Sequence, residues 1–430
     1  MKQLSLYLHI PFCIHTCSYC SFFVVSEEES KKQKKEHSIE DLKQRYLESL
    51  TSEMSNSPIR NAKIYTLYLW GGTPYQLWQQ RLLELLHTIN DSFDLSELRE
   101  CTIEINPDPL DRVPAFMKLV QENCPFLKGL RRSIGTQTFD DSLLSASKRA
   151  YNFAQLQDFF YELSLQKSPS IRYNLDLIAF GKLLENGIPW GTEQMKRFTS
   201  LLEQKLFDSI SLYTLELFPG SDWYHQSHHT SKAVQKVYGN DDMIFEEFVL
   251  LRNLIYRYGY KRQELSNFAL DGKGSLHNDV YRSMESYLWL GINSSSYLSH
   301  EDAKRYFWSS YEGIYGVRFQ NTKKRKQYLN TVTSNQKQVI SNHNQQPIYE
   351  SYEELSREQY LKDAFFLGLR KQPWLSNISQ FQEILREDWK QEIEFLESIG
   401  KCRFEPSTET LFLTDSGFDV YNSVVNSLMK

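Results

Sequence analysis

The chain is 430 residues long, enough for several domains at roughly 100–200 residues each. Lys and Arg number 49 against 54 Asp and Glu, so the net charge is −5, without the basic excess of a dedicated nucleic-acid binder. A hydrophobic fraction of 40% and a charged fraction of 24% exclude wholesale disorder, and no run approaches the roughly 18 apolar residues that cross a bilayer.

The opening MKQLSLYLHIPFC has neither a long apolar stretch nor a small-residue cleavage site, so a cytoplasmic protein is expected rather than a secreted one. The first half then alternates short β-like runs with amphipathic segments. Strands are expected at 4–10, 66–70, 101–106, 130–137, 173–180 and 209–217, several nearly continuous in apolar residues, as buried parallel strands are. Helices are expected at 41–54, 77–86, 113–120, 153–164 and 193–205. In the first of these, Leu42, Tyr46, Leu47 and Leu50 share one face. Such βα repeats imply one parallel sheet, either open and doubly wound or a partial barrel, with function at the carboxyl ends of the strands. The charged stretch 26–37 (SEEESKKQKKEH) reads as a solvated loop or a helix start.

Beyond residue 222 the alternation stops. A helix is expected at 242–258, then a polar, Gly-containing loop (QELSNFALDGKGSLHNDVYR), then an aromatic segment at 287–291. The Asn/Gln/Lys-rich stretch 317–347 reads as loops or a linker. Helices return at 354–369, 378–385 and 389–399, followed by a β pair at 402–405 and 410–413 and a last helix at 415–428. That order is the outline of a winged-helix module. The histidines His228 and His229 read as an incidental pair.

Three of the six cysteines, Cys13, Cys17 and Cys20, fall on one short loop after the first strand, spaced C-x3-C-x2-C. Cys101, Cys124 and Cys402 are scattered, which does not suit a secreted disulfide framework. Three thiolates can each bind one iron of a [4Fe–4S] cubane that otherwise takes four cysteines, leaving one iron open. Zinc is the alternative, with His9 or His15 as a fourth ligand. A structural trio of core thiols is the plainest alternative.

The cysteine spacing resembles the radical S-adenosylmethionine superfamily. The wider string Tyr7-Leu-His9-Ile-Pro-Phe-Cys13 through Tyr19-Cys20 resembles the oxygen-independent coproporphyrinogen III oxidase group and its HemW-type haem chaperone relatives. Further matching stretches follow in order: Trp70-Gly71-Gly72-Thr73-Pro74, Glu104-Ile-Asn106-Pro107, Ser133-Ile-Gly135-Thr-Gln137, Asn174-Leu-Asp176, Glu264-Leu-Ser266-Asn267-Phe268-Ala269 and His277-Asn278. Phe366-Leu-Gly-Leu-Arg370 and Leu413-Thr-Asp-Ser-Gly417 resemble the family's final domain. The resemblance implies an incomplete (β/α)6 barrel with a cluster over 1–221 and a middle α/β domain on the haem or substrate side over 222–316. It further implies a polar linker over 317–350 and a winged-helix-like domain over 351–430.

It also implies site roles. Cys13, Cys17 and Cys20 hold the cluster. Tyr7 and Tyr19 flank S-adenosylmethionine, and Gly71, Gly72 and Thr73 form the turn that meets its amino group, where glycine lets backbone approach closely. Glu104 and Asp176 are carboxylates on otherwise apolar strands, costly unless paired, and the cofactor's ammonium or ribose hydroxyls would pair them. Gln137 and Arg149 complete the set, Arg149 offering a fork to a carboxylate. Without the resemblance, each of these reads as an ordinary turn or a polar partner at a strand end.

Two functions compete: oxidative decarboxylation of coproporphyrinogen III, and haem carriage. Position 22 is Phe where the oxidases carry a further cysteine, and Cys13 follows the start almost at once where they carry a long extension. Both features favour the haem chaperone. It implies haem as cargo, His277 as its axial ligand, a haem-acceptor protein and an electron donor, and it allows a homodimer and weak membrane association. A loop histidine capping nearby backbone is the plainer reading of His277. Four departures stand out: Arg282 replaces the family's Trp, Ser295 its His, Phe218 its acid, and Ala179-Phe180-Gly181 a Gly-rich turn.

Overall fold

The computed structural model describes residues 4–32, 38–182, 184–185, 188–189, 192–229, 237–306, 312–333, 348–371 and 375–430. Six strands carry the first half: β1 (Leu4–Ile10), β2 (Ile64–Gly71), β3 (Glu100–Ile105), β4 (Leu130–Gln137), β5 (Ile171–Ala179) and β6 (Ser209–Thr214). Each pairs in parallel with the next in chain order. Between them run helices α1 (Ile39–Asn56), α2 (Gln79–Ser92), α3 (Val113–Asn123), α4 (Phe153–Ser164) and α5 (Thr192–Glu203). Local signals start them where expected. The Ser38 hydroxyl accepts from the Asp41 amide at 3.1 Å, and Asn152 with Gln155 forms a reciprocal capping box.

The sequential strand order settles the open alternative. A doubly wound sheet reverses its order at a switch point, whereas here the chain steps from one neighbour to the next without reversal. β1 and β6 do not pair, so the barrel is incomplete.

The rest of the chain finishes both edges. At one edge β7 (Lys261–Arg262) and β8 (Asn267–Ala269) add in antiparallel fashion beyond β6. At the other, β9 (Tyr287–Leu290) lies parallel to β1, and β10 (Ser295–Ser299), β11 (Gly316–Asn321) and β12 (Tyr349–Leu355) follow antiparallel. The result is one 12-stranded sheet. Residues 222–316 thus extend the barrel sheet instead of building a sheet of their own. The stretch expected to be a linker holds β11 and a helix, α6 (Arg325–Thr333). Its polarity misled because its polar side chains are paired: Arg318 bridges Glu353 at 3.0 Å and Asp363 at 2.9 Å, and the Asn321 amide donates to Glu53 at 2.7 Å. The charged stretch after the cysteines begins as a helix at Glu27–Lys32, and residues 33–37 lie outside the described residues.

Two large apolar cores result, with a small third cluster of Met284, Tyr297 and Leu355 against Tyr360, Ala364 and Leu367 where the sheet edge meets the C-terminal module. The larger joins the barrel strands to their helices through residues such as Leu6, Leu67, Ile103, Ile134, Leu175 and Ile210. The second belongs to the C-terminal module, where α7 (Arg357–Gly368), α8 (Trp389–Ser398), the hairpin Cys402–Glu405/Thr410–Leu413 and α9 (Tyr421–Leu428) enclose Phe365, Ile393, Leu411 and Leu428. The expected last helix is broken after Phe418 and resumes at Tyr421. No described helix is long and apolar enough to cross a membrane.

Candidate functional site

The barrel strands alternate. Leu4, Leu6, Leu8 and Ile10 of β1 pack in the core, while Ser5, Tyr7 and His9 point to the other face. Register carries that second face across the sheet. Trp289, Tyr7, Tyr68, Thr102 and Arg131 lie in one row. Glu104, Ser133, Asn174 and Ser209 lie in another. The strands therefore keep a polar and aromatic face inside a buried sheet. That face walls a cavity of about 910 Å³, large enough for a cofactor-sized ligand.

The residues given cluster, cofactor or haem roles from the resemblance all border this one cavity: Cys13, Cys17, Cys20, Tyr7, Tyr19, Gly71, Gly72, Thr73, Glu104, Gln137, Arg149, Asp176 and His277; His9 does not. The cysteines are half-buried and unpaired by disulfides. Burial pushes the Cys13 thiol up to about 12 and Cys20 to about 11. Burial acts on Cys17 too, but the Arg149 charge and a hydrogen bond from His15 bring it down to about 7. Among the described residues no group of three or more His, Cys, Asp and Glu side chains is arranged around a single metal ion. A cubane asks each thiolate to bind a different iron, so its ligands need only face a common space. His9 is a poor fourth ligand for zinc. Its ring nitrogens are engaged by the Tyr7 hydroxyl and the Phe23 carbonyl, each at 3.1 Å.

The turn after β2 is fitted to the cysteine loop. The Gly72 amide donates to the Ile10 carbonyl at 2.7 Å, and the Thr73 amide to the Phe12 carbonyl at 2.8 Å. Gly71 has φ +113°, and a Cβ on Gly72 would lie 2.7 Å from the Phe12 oxygen. The glycines are thus required first by the loop, which they let the turn approach. The Thr73 hydroxyl sits 3.8 Å from the Cys13 sulfur.

Across the cavity, Arg149 donates to Asn106 and, at 2.6 Å, to the Tyr19 hydroxyl. Gln137 ends β4 in a left-handed conformation, φ +72°, beside a register shift in its pairing with β5. Such a conformation is uncommon for a residue with a Cβ and marks a place where the fold holds a side chain against local preference. Glu104 accepts from Tyr68. Burial, with Asp176 nearby, lifts its carboxyl to about 8. Asp176 accepts from Ser133 and Asn174, both at 2.8 Å, and burial raises it also.

His277 is not on a solvated loop. It lies in a short helix beside β2, Leu276–Arg282, and is 1% exposed. Its Nδ1 is 2.7 Å from the Thr66 hydroxyl, and its ring packs on Tyr68 with centroids 4.9 Å apart. Burial drops its pKa to about 4, so the imidazole is neutral. The segment was misread because Gly272, Gly274 and a seven-residue helix give too little apolar periodicity to register.

The departures fall at and around the cavity wall. Arg282 pairs with Glu264 at 2.7 Å on the cavity wall. Ser296, next to Ser295, accepts from the Trp289 amide at 2.9 Å, and Trp289 stacks on Tyr7 with centroids 4.4 Å apart. Phe218, 49% exposed, stands at the cavity with Phe22 (56%), Tyr213 and Phe245. The His228 and His229 side chains lie outside the described residues.

Sequence reasoning missed Arg131, Trp289 and Arg370, which also border the cavity. The first two could have been found from strand alternation. Buried polar atoms around the cavity lack a partner among the described residues, including His15 Nε2, Arg131 Nε, Arg149 Nε, His277 Nε2, Trp289 Nε1 and Arg370 Nε. Native interiors rarely leave such atoms unpaired, and a wall with so many open donors suits a ligand rich in acceptors.

No family model matches the chain. Along its whole length it is similar to the haem chaperone HemW of Lactococcus lactis subsp. lactis, 28% identical over 432 residues, covering 100% of this chain and 98% of that protein. HemW of Bacillus subtilis is 26% identical over 384 residues, covering 85% and 83%. Among solved structures, the coproporphyrinogen III oxidase HemN of Escherichia coli, a radical SAM enzyme, shares the fold, with a TM-score of 0.69 over 99% of this chain and 90% of that one at 17% identity.

Proposed function

We propose that this chain, HemW-like along its whole length and built on the HemN fold, is a radical S-adenosylmethionine protein of the cytoplasm that binds haem and passes it to an acceptor protein. One observation supports the reading above others: the three thiols, the Gly71-Gly72-Thr73 turn, Arg149 and His277 all border a single cavity ringed by exposed aromatic side chains.

Cys13, Cys17 and Cys20 would hold three irons of a [4Fe–4S] cluster, and Arg149 would offset the thiolate charge. When bound, such a cluster supplies a low-potential electron and one open iron for the amino and carboxylate groups of S-adenosylmethionine. Tyr7 and Tyr19 would flank that cofactor, and Gln137 would sit beside it. Glu104 and Asp176 would accept from its ammonium or ribose hydroxyls. A cation in the cavity would draw the proton from Glu104, whose carboxyl burial now holds near 8.

His277 fits an axial haem ligand on chemistry. It is neutral, its Nδ1 is fixed by Thr66, and its Nε2 has no partner among the described residues. The aromatic rings of Phe22, Phe218 and Phe245 would offer faces to a flat macrocycle.

The test uses anaerobically reconstituted protein. We expect about four irons and four sulfides per chain, a Soret band on haem titration that weakens at least about tenfold in affinity in H277A, and haem transfer to an apo-haemoprotein. With S-adenosylmethionine, a reductant and coproporphyrinogen III, we expect no protoporphyrinogen IX. Catalytic porphyrin product would replace this reading with the oxidase.

A further inference from the structure

Among the arginines on the cavity wall, Arg370 is the one whose guanidinium has nothing to hold. Arg262 pairs with Asp415 at 3.0 Å, Arg282 with Glu264 at 2.7 Å, and Arg149 donates to Asn106 and Tyr19. Arg131 lies among Glu100, Glu104 and Asp176. Arg370 has neither an ion-pair partner nor a side-chain hydrogen bond among the described residues, and its Nε is buried.

It is nevertheless fixed in place. Its carbonyl accepts from the Leu265 amide at 3.0 Å, tying the end of the first module helix to the barrel edge. Its guanidinium lies against the rings of Phe366 and Tyr421, 5.5 Å from each centroid. Those ring contacts use none of its N–H donors and leave the fork unspent. Burial and the neighbouring Arg282 charge act against the protonated form and outweigh the more distant Glu264 and Glu216, neither of which pairs with it. A guanidinium stays charged regardless, so an unpaired one in a partly desolvated wall is costly unless a ligand supplies the anion. A carboxylate matches the fork with two parallel hydrogen bonds.

We propose that Arg370, with Arg282 beside it, forms a carboxylate-binding subsite that anchors an acidic side chain of the bound tetrapyrrole. The inference rests on the haem reading and deepens it. Haem would be oriented by its carboxylate edge at the C-terminal module as well as through its iron at His277.

The test compares iron protoporphyrin IX with its dimethyl ester, titrated into the full chain by absorbance. The wild type should favour the diacid over the diester by about tenfold or more, the scale of one charge-assisted pair. R370A should lose that preference by weakening diacid binding alone, and R370K, which keeps the charge but not the fork, should fall between. Unchanged diester binding shows that each variant is folded. S-adenosylmethionine binding, followed in parallel, should not move. Equal binding of both porphyrins by the wild type, a parallel loss of both in R370A, or a loss of S-adenosylmethionine binding instead overturns the subsite and leaves the haem reading standing. Failure of the wild type to bind either porphyrin overturns both.

Discussion

One added carbon at Gly72 tests the fit of the Gly71-Gly72-Thr73 turn to the cysteine loop. An alanine Cβ there would lie 2.7 Å from the Phe12 carbonyl and 2.9 Å from that of Ile10, both backbone atoms. Backbone cannot swing aside as a side chain can, so the loop carrying Cys13 must shift. Overpacking of this kind costs about 1–3 kcal/mol. G72A should therefore melt several degrees lower and reconstitute with less than half the wild-type iron. T73V removes only a hydroxyl 3.8 Å from the Cys13 sulfur and should retain most of the iron. Iron and sulfide analysis with thermal melts by circular dichroism decides it. A G72A chain with full iron and an unshifted melt would mean the turn is not braced on the loop. At this scale the sequence was most informative: glycine pairs and lone carboxylates on apolar strands are rare enough to single out. Arg370 was not legible, because a basic residue after a helix reads as an ordinary C-terminal cap, and only the cavity reveals that its fork is free.

Strands and hairpins were legible wherever an element buries its own apolar pattern. Leu130–Gln137, Phe153–Ser164 and the Cys402–Glu405/Thr410–Leu413 hairpin have the bounds expected of them. Elements held by polar contacts were not legible, β11 and the His277 helix above all. That helix is braced at its N-terminus by the buried Glu100 on β3. Its carboxylate accepts from the Leu276 amide at 3.0 Å and from the His277 amide and Ser275 hydroxyl at 3.1 Å each, and it pairs with Arg172 at 2.8 Å. An acid at a helix N-terminus satisfies amides that the helix itself cannot. Despite burial, Arg131 and Arg172 hold this carboxyl below its ordinary range. E100Q keeps the shape but removes the charge, leaving Arg172 and Arg131 short of a counter-ion. Breaking such a buried pair costs about 3–5 kcal/mol. E100Q should lose stability on that scale in a denaturant melt. Its haem affinity should fall toward that of H277A, since the helix that sets the imidazole is no longer anchored. If E100Q binds haem as the wild type does, His277 is either positioned by Thr66 alone or is not the ligand.

At the scale of the whole molecule, the cavity belongs to two cores at once. The cysteine loop and strand ends come from the barrel, while Arg370 and residues 418–423 come from the C-terminal module, whose apolar core is separate. Apolar packing within each core therefore cannot by itself close the site, and closure depends on what joins them. The joint has a small apolar cluster, Met284, Tyr297 and Leu355 against Tyr360, Ala364 and Leu367, and an ionic part: one Arg252 Nη donates to both Asp419 oxygens at 2.6 and 2.7 Å, and Arg262, 2% exposed, reaches Asp415 at 3.0 Å and lies over Phe418, 4.8 Å from its centroid. Asp419 is the shared acid, since Arg262 also approaches it at 3.8 Å. Removing it strips buried Arg252 of its counter-ion and leaves Arg262 with Asp415 alone, and an uncompensated buried charge costs more than the pair contributes. D419A should therefore release the module before the barrel unfolds, as a separate early transition in calorimetry and as new protease cleavage in the stretch leading to Ser356. D419N, which retains an acceptor, should show a smaller separation. Iron content should stay near wild type in both, because Cys13, Cys17 and Cys20 are all on the barrel, while diacid porphyrin affinity should fall with the loss of Arg370 from the wall. A single transition at the wild-type temperature in D419A would show that the module is held by something other than the ionic part of this joint.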